Sequence, residues 1–215
     1  MTIVPVALLS LLPALFWLWK GLSTRSLRAV EALSLMALTL ISLILASVTR
    51  ELLSPLFPTG HSWVSQVLPA LVLTALIEEL FRFLSLLPFC IAPRSWPASR
   101  SLALLAGLSF ASFETLAYVM LSPSRIVLRF FTALPIHVCA ALCLALYLSS
   151  RQKGAPERTQ FEKALLPLVI LVHGFYELGL TATLIPISFI ALAVCVRLGL
   201  YAWKGSIGEE EQQRW

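Results

Sequence analysis

Seven side chains of this 215-residue sequence have the types and spacing for proton chemistry: Glu78, Glu79, Glu114, His137, His173 and Glu177, with Arg82 beside the first pair. Carboxylates and imidazoles are the groups that take a proton from water, return it to a leaving group or hold a divalent ion. Glu78 and Arg82 are four residues apart and Glu79 and Arg82 three, so on a helix one guanidinium reaches either carboxylate. Pinning one of two neighbouring carboxylates makes the pair titrate apart and leaves the other to exchange protons as a general base. His173 and Glu177 are one helical turn apart, which lets the carboxylate orient the imidazole unless it only meets solvent near an interface.

The surroundings make these residues conspicuous. The chain is 59% hydrophobic and 13% charged, with a mean hydropathy of +0.88, which leaves too little polar surface for a soluble globule. Apolar runs bounded by charges or by Pro and Gly predict an all-α, polytopic membrane bundle with about seven spans. They fall near 3–19, 27–48, 64–89, 101–121, 127–149, 163–181 and 183–203. The first run has no positive segment ahead of it, which argues for a retained span. The last two runs are so close that they form a tight hairpin, or one of them is partly re-entrant. Residues 1–60 hold the first two spans, 61–181 a core of four and 182–215 the last span with a short tail from Gly208 to Trp215.

Basic residues support this layout. Lys20, Arg25, Arg28, Arg94, Arg100, Arg151, Lys153, Arg158, Lys163, Lys204 and Arg214 fall on one side, and only Arg50, Arg125 and Arg129 on the other. The bias places the amino terminus outside and the carboxyl terminus in the cytoplasm, and it accounts for the net charge of +5 without nucleic acid. Trp17, Trp19, Trp63, Trp96 and Trp203 lie near span ends, as aromatic belts do. Cys90, Cys139, Cys143 and Cys195 lack metal-finger spacing and are read as small core residues, and His61 as a surface residue.

An ionisable group at the bilayer centre costs about 2.5–3.5 kcal/mol on insertion scales and is a functional hypothesis by default. Glu78, Glu114, His137 and His173 each fall roughly 10 to 14 residues into four consecutive spans, at one depth. Polar residues serving only as hydrogen-bonded glue between helices have no reason to share a level. Gly107, Ser109, Ala111, Ser112 and Gly174 allow close helix approach around that level, and Pro135 loosens the backbone just before His137.

In order, the segments LIEELFRFLSL (Leu76 to Leu86), AGLSFASFETLAYV (Ala106 to Val119), RFFTALPIHVCAALCLALYLSSR (Arg129 to Arg151) and LVHGFYELGL (Leu171 to Leu180) resemble the PrsW family of intramembrane proteases. That family is related to the type II CAAX prenyl endoproteases and to bacteriocin-immunity proteins. Glu78, Glu79 and Arg82 match its Glu-Glu-x-x-Lys motif with Arg in place of Lys. Phe110 and Glu114 match Phe-x-x-x-Glu, where the prenyl endoproteases carry His. His137 follows a Leu-Pro step, and His173 opens His-Gly-x-Tyr-Glu, with Glu177 where the family commonly has Asp or Asn.

The resemblance implies hydrolysis of a peptide bond in a membrane-associated, single-span substrate such as an anti-sigma factor, in a bacterial cytoplasmic membrane. On this reading Glu78 or Glu79 is the base, Arg82 holds the other carboxylate, and Glu114 and His137 complete the water site. His173 is then oxyanion donor or general acid. A divalent metal such as zinc would be held by Glu79, Glu114, His137 and His173. The absence of a His-Glu-x-x-His helix and the adjacent Arg82 place a metal-free, glutamate-activated water slightly ahead. The competing readings are a proton-coupled transporter or channel, since Glu and His chains also relay protons, and a non-catalytic immunity-type protein.

Overall fold

The computed structural model describes residues 3–60, 62–91, 95–121, 126–149, 160–182 and 184–204, so His61 and the acidic tail lie outside the described residues. These residues form helices and their connections, with no strand among them. In chain order they are α1 (Ile3–Ser23), α2 (Ala29–Leu53) with a 3₁₀ turn (Ser54–Leu56), α3 (Trp63–Leu68), a π-helical stretch (Pro69–Leu76) and α4 (Ile77–Cys90). Then come α5 (Trp96–Leu121), α6 (Ile126–Ser149), α7 (Gln160–Lys163), α8 (Leu165–Thr181) and α9 (Ile185–Lys204).

Among the described residues, four helices are long and apolar enough by themselves to cross a membrane: Ala29–Leu56, Trp96–Tyr118, Phe131–Ser149 and Ile185–Lys204. Two of the other three expected spans have other forms. α1, with 21 residues, follows the first expected span, whereas α8, with 17 residues, is about 26 Å long, less than a hydrocarbon core of about 30 Å. The remaining one is composite. Ser62 caps α3, its Oγ accepting from Ser65 N at 3.2 Å. Pro69 then has no N–H for the α-helical ladder, and the chain runs in the wider π register until α4 begins at Ile77, one residue before Glu78.

The bundle is organised around α5 and α6, its most extensive helix pair. α1 and α2 pack on α5, while α4, α8 and α9 pack on α6. Small residues make this possible: Ala103 and Ala106 on α5, with Ala140, Ala141 and Ala145 on α6, are buried among leucines. The outer surface is also apolar, with Leu12 and Phe16 on α1, Ile41 and Ile44 on α2, and Ile190 and Val194 on α9 all exposed. Helices apolar on both faces are what a bundle in lipid requires. α8 and α9 pack directly together, and Ser188 Oγ donates to Tyr176 O at 2.8 Å, so these runs form the tight hairpin. The tryptophans do not all form a belt. Trp19 and Trp63 are exposed, but Trp96 is buried in the core and Trp17 Nε1 donates to Ser101 O at 3.0 Å, because α1 covers this end of α5. All four cysteines are buried and none is in a disulfide.

Candidate active site

The four central helical segments bring the expected residues to one place. α4 supplies Glu78, Glu79 and Arg82; α5 supplies Phe110 and Glu114; α6 supplies His137; and α8 supplies His173 and Glu177. Every one is buried, and Glu79 and Arg82 have no exposed surface at all. Glu177 therefore does not lie out in solvent.

Arg82 is the hub. Its Nη1 donates to Glu79 Oε1, and its Nη2 donates to His137 Nδ1 at 2.6 Å. A guanidinium only donates, so Nδ1 of His137 accepts; the proton of the neutral ring then lies on Nε2, which donates to Glu114 Oε2 at 2.7 Å. The guanidinium carbon sits 4.2 Å from the centre of the Phe110 ring, which covers the charge with a π face. On the other side of the hub, His173 Nδ1 donates to the same Glu79 oxygen at 2.7 Å. A carboxylate behind one ring nitrogen leaves the other, Nε2, with its lone pair directed away. That Nε2 faces Glu78 Oε2 at 3.8 Å and Glu177 Oε1 at 4.0 Å. The two imidazole rings stand edge to face, 5.4 Å apart.

The scaffold enforces this geometry by close backbone contact. A Cβ on Gly107 would lie 2.6 Å from Val138 Cα and 2.8 Å from His137 O, so only glycine lets α5 approach α6 beside His137. A Cβ on Gly174 would likewise come within 3.2 Å of Leu71 Cα, where α8 packs on the π-helical stretch. Tyr176 OH and Thr132 Oγ1 are 2.5 Å apart and tie α8 to α6 a turn from His173.

Among the described residues, Glu78 Oε2, Glu79 Oε2, Arg82 Nε and His173 Nε2 are buried without a hydrogen-bond partner. Leaving such a group unpaired costs about 1–3 kcal/mol, and a group of them points to water, an ion or substrate as the missing partner. Donor atoms of Glu78, His137 and His173 lie within 4.8 Å of one another, and two imidazoles with one carboxylate are a ligand set of open catalytic zinc sites. Glu79 behind His173 has the position of the outer carboxylate that orients a ligating histidine. The residues present therefore fit a divalent ion, with His173 Nε2 and Glu78 Oε2 ready and His137 able to join by exchanging one of its bonds.

The model of the PrsW family intramembrane metalloproteases matches residues 27–203. The chain belongs to that family. No curated protein and no solved structure matches it. Membership makes it an intramembrane peptidase in lipid, acting on a membrane-protein substrate. The match extends well beyond the segments that carry the sequence resemblance and takes in α2 and α9.

For a PrsW-family protein, the structure adds three features that spacing does not disclose. Arg82 bonds His137 on another helix as well as its neighbour Glu79, because α4 and α6 are in contact at this level. The donor set contains Glu78 and leaves out two expected ligands, Glu79, whose Oε1 is engaged by Arg82 and His173, and Glu114, which bonds His137. The Tyr176 to Thr132 bond joins residues 44 apart, and its one sequence signal is the Tyr of the His-Gly-x-Tyr-Glu segment.

Proposed function

We propose that this protein is an endopeptidase that cuts a single-span, membrane-anchored polypeptide with a water activated between Glu78 and His173. One observation carries the reading. Glu78 Oε2 and His173 Nε2 are both buried and unpartnered, and they face each other at 3.8 Å, too far for a direct hydrogen bond and close enough for one oxygen to touch both.

The chain's own groups divide the chemistry as follows. Glu78 takes a proton from the water as its oxygen attacks the scissile carbonyl carbon. His173, held in one tautomer by Glu79, accepts the second hydrogen bond of that water and fixes its direction. The Nε2–H of His137 is committed to Glu114, so His137 donates to the developing oxyanion only by exchanging that bond as the carbonyl arrives. The proton on Glu78 then passes to the amide nitrogen, the C–N bond breaks, and a new carboxyl and a new amino terminus leave. Arg82 holds Glu79 in place and touches no reacting atom. A divalent ion held by Glu78, His137 and His173 would polarise the water and the carbonyl. A second, metal-free reading is favoured by the bond from Arg82 to His137, which sets a positive charge directly against one ligand.

The basic-residue bias supports an amino terminus outside and a carboxyl terminus inside a bacterial cytoplasmic membrane, and an anti-sigma-like protein is a substrate of suitable architecture. The test is a survey of new protein amino termini in membranes from cells carrying the intact protein or Glu78→Gln at equal expression. Termini that vanish in the variant support hydrolysis and name the substrate. Identical profiles under several envelope stresses overturn it in favour of proton transport, to be measured next as flux.

A further inference from the structure

The cluster does not account for a separate cavity of about 210 Å³ at one end of the bundle, lined by Trp63, Gln66, Leu178 and Leu184. It lies where the start of α3 meets the turn between α8 and α9, the end that the basic-residue bias places outside the membrane. Three of its four walls are apolar and the fourth is an amide, which offers both donors and acceptors. Leu178 is buried, whereas Trp63 and Leu184 are 70% and 42% exposed at the rim, so the cavity has a fixed floor and an open mouth.

The height of its floor relative to the cluster follows from α8. Leu178 directly follows Glu177, whose carboxylate lies 4.0 Å from His173 Nε2. Five residues of α-helix separate His173 from Leu178, a rise of about 7.5 Å. Gln66 lies 12 residues before Glu78 on the contiguous run of α3, the π-helical stretch and α4, a rise of up to about 18 Å, so the cavity reaches from about 7.5 Å to about 18 Å above the cluster. An extended polypeptide advances about 3.3 Å per residue, so a chain with its scissile bond at His173 has the side chains about two to five residues away level with the cavity. We infer that this cavity is a specificity subsite, which receives a large apolar side chain of the substrate about two to five residues from the cut, on its outer side. Gln66 bonds the passing backbone. The inference rests on the peptidase reading above and adds which sequences are cut.

The volume fits one leucine or phenylalanine and rejects charge, since a charged group would lose its water against Trp63, Leu178 and Leu184. Pockets of this kind discriminate by roughly 10- to 200-fold per missing methylene.

The experiment co-expresses the full chain with a pooled library of single-span segments, each carrying a randomised stretch of chain outside the membrane, and sequences the termini released. The intact protein is expected to enrich Leu, Phe or Met over Gly and Asp by about tenfold at one position about two to five residues from the cut. Leu184→Trp, which fills the mouth, should move that preference to Gly and Ala. Trp63→Ala, which widens it, should relax the preference toward Trp and remains informative if the first variant does not accumulate. An unchanged profile in the accumulating variants, with cleavage intact, overturns the subsite alone. No cleavage above that of Glu78→Gln overturns the peptidase reading, and the subsite with it.

Discussion

Gly107→Ala tests whether the closeness of α5 and α6 is what assembles the cluster. The added methyl would lie 2.6 Å from Val138 Cα and 2.8 Å from His137 O, and both obstacles are backbone, so no side-chain rotation relieves them. Carbon atoms rest at about 3.5–4.0 Å, so the two helices must part by about 1 Å. If the bond between His137 Nε2 and Glu114 Oε2 takes up that displacement, it stretches from 2.7 Å to beyond the hydrogen-bonding range. Overpacking of this size costs about 1–3 kcal/mol of stability, and a misplacement of about 1 Å in an active site costs about a hundredfold in rate. The assay is the initial cleavage rate of the substrate named by the terminus survey, at equal amounts of purified protein, beside a thermal melt. Most of the loss should fall in kcat, because the binding cavity lies on α3, α8 and α9. A rate within about twofold of the parent, at unchanged thermal stability, would refute the claim that this approach positions His137.

Three other substitutions or additions separate the roles. Arg82→Lys should keep part of the activity and Arg82→Ala almost none: an ammonium still faces Glu79 but cannot also donate to His137 in a fixed fork, and alanine leaves a buried carboxylate uncompensated at a cost of about 3–5 kcal/mol. Wild-type behaviour of the alanine variant by rate and melt would remove Arg82 from the account. Tyr176→Phe should lower stability by about 1 kcal/mol, because it deletes the 2.5 Å bond to Thr132 between α6 and α8, and should lower the rate modestly. A melt equal to the parent's would count against that tie. If the metal reading holds, cobalt added to the purified protein gives a visible absorption band that Glu78→Gln or His173→Ala abolishes, and chelation lowers both the rate and the melting temperature. No band and no response to chelation favours the metal-free reading.

The membrane bundle was legible because apolar runs long enough to span leave their mark in any window of sequence, and the site because ionisable groups stand out against such runs. Shared depth alone brought Glu78, Glu114, His137 and His173 together, since consecutive spans cross the same slab. What depth could not give is azimuth. Spacing allowed Arg82 to reach Glu78 or Glu79 equally; the choice of Glu79 follows from His137 and His173, which approach that carboxylate's side of α4 from two other helices. The break in the third expected span was signalled by Pro69, but a proline can kink a helix, end it or widen it to a π register, and only packing decides among these. Trp96 misled because an aromatic near a span end reads as a belt residue unless a further helix covers it, as α1 does here.

The arrangement explains why so polar a cluster survives in lipid. An isolated buried carboxylate would neutralise itself by taking a proton. Here Arg82 pairs with Glu79, and Glu79 in turn fixes His173. The charge pair therefore serves less to stabilise the fold than to hold the protons of its neighbours in place: His137 with its proton on Nε2 toward Glu114, and His173 with its lone pair toward Glu78. Remove the arginine and both tautomers lose their reason. A transporter has no need of that rigidity, because a proton relay works by letting each group change state in turn. Fixed tautomers around one unpartnered carboxylate suit a reaction that needs a single water aimed in a single direction.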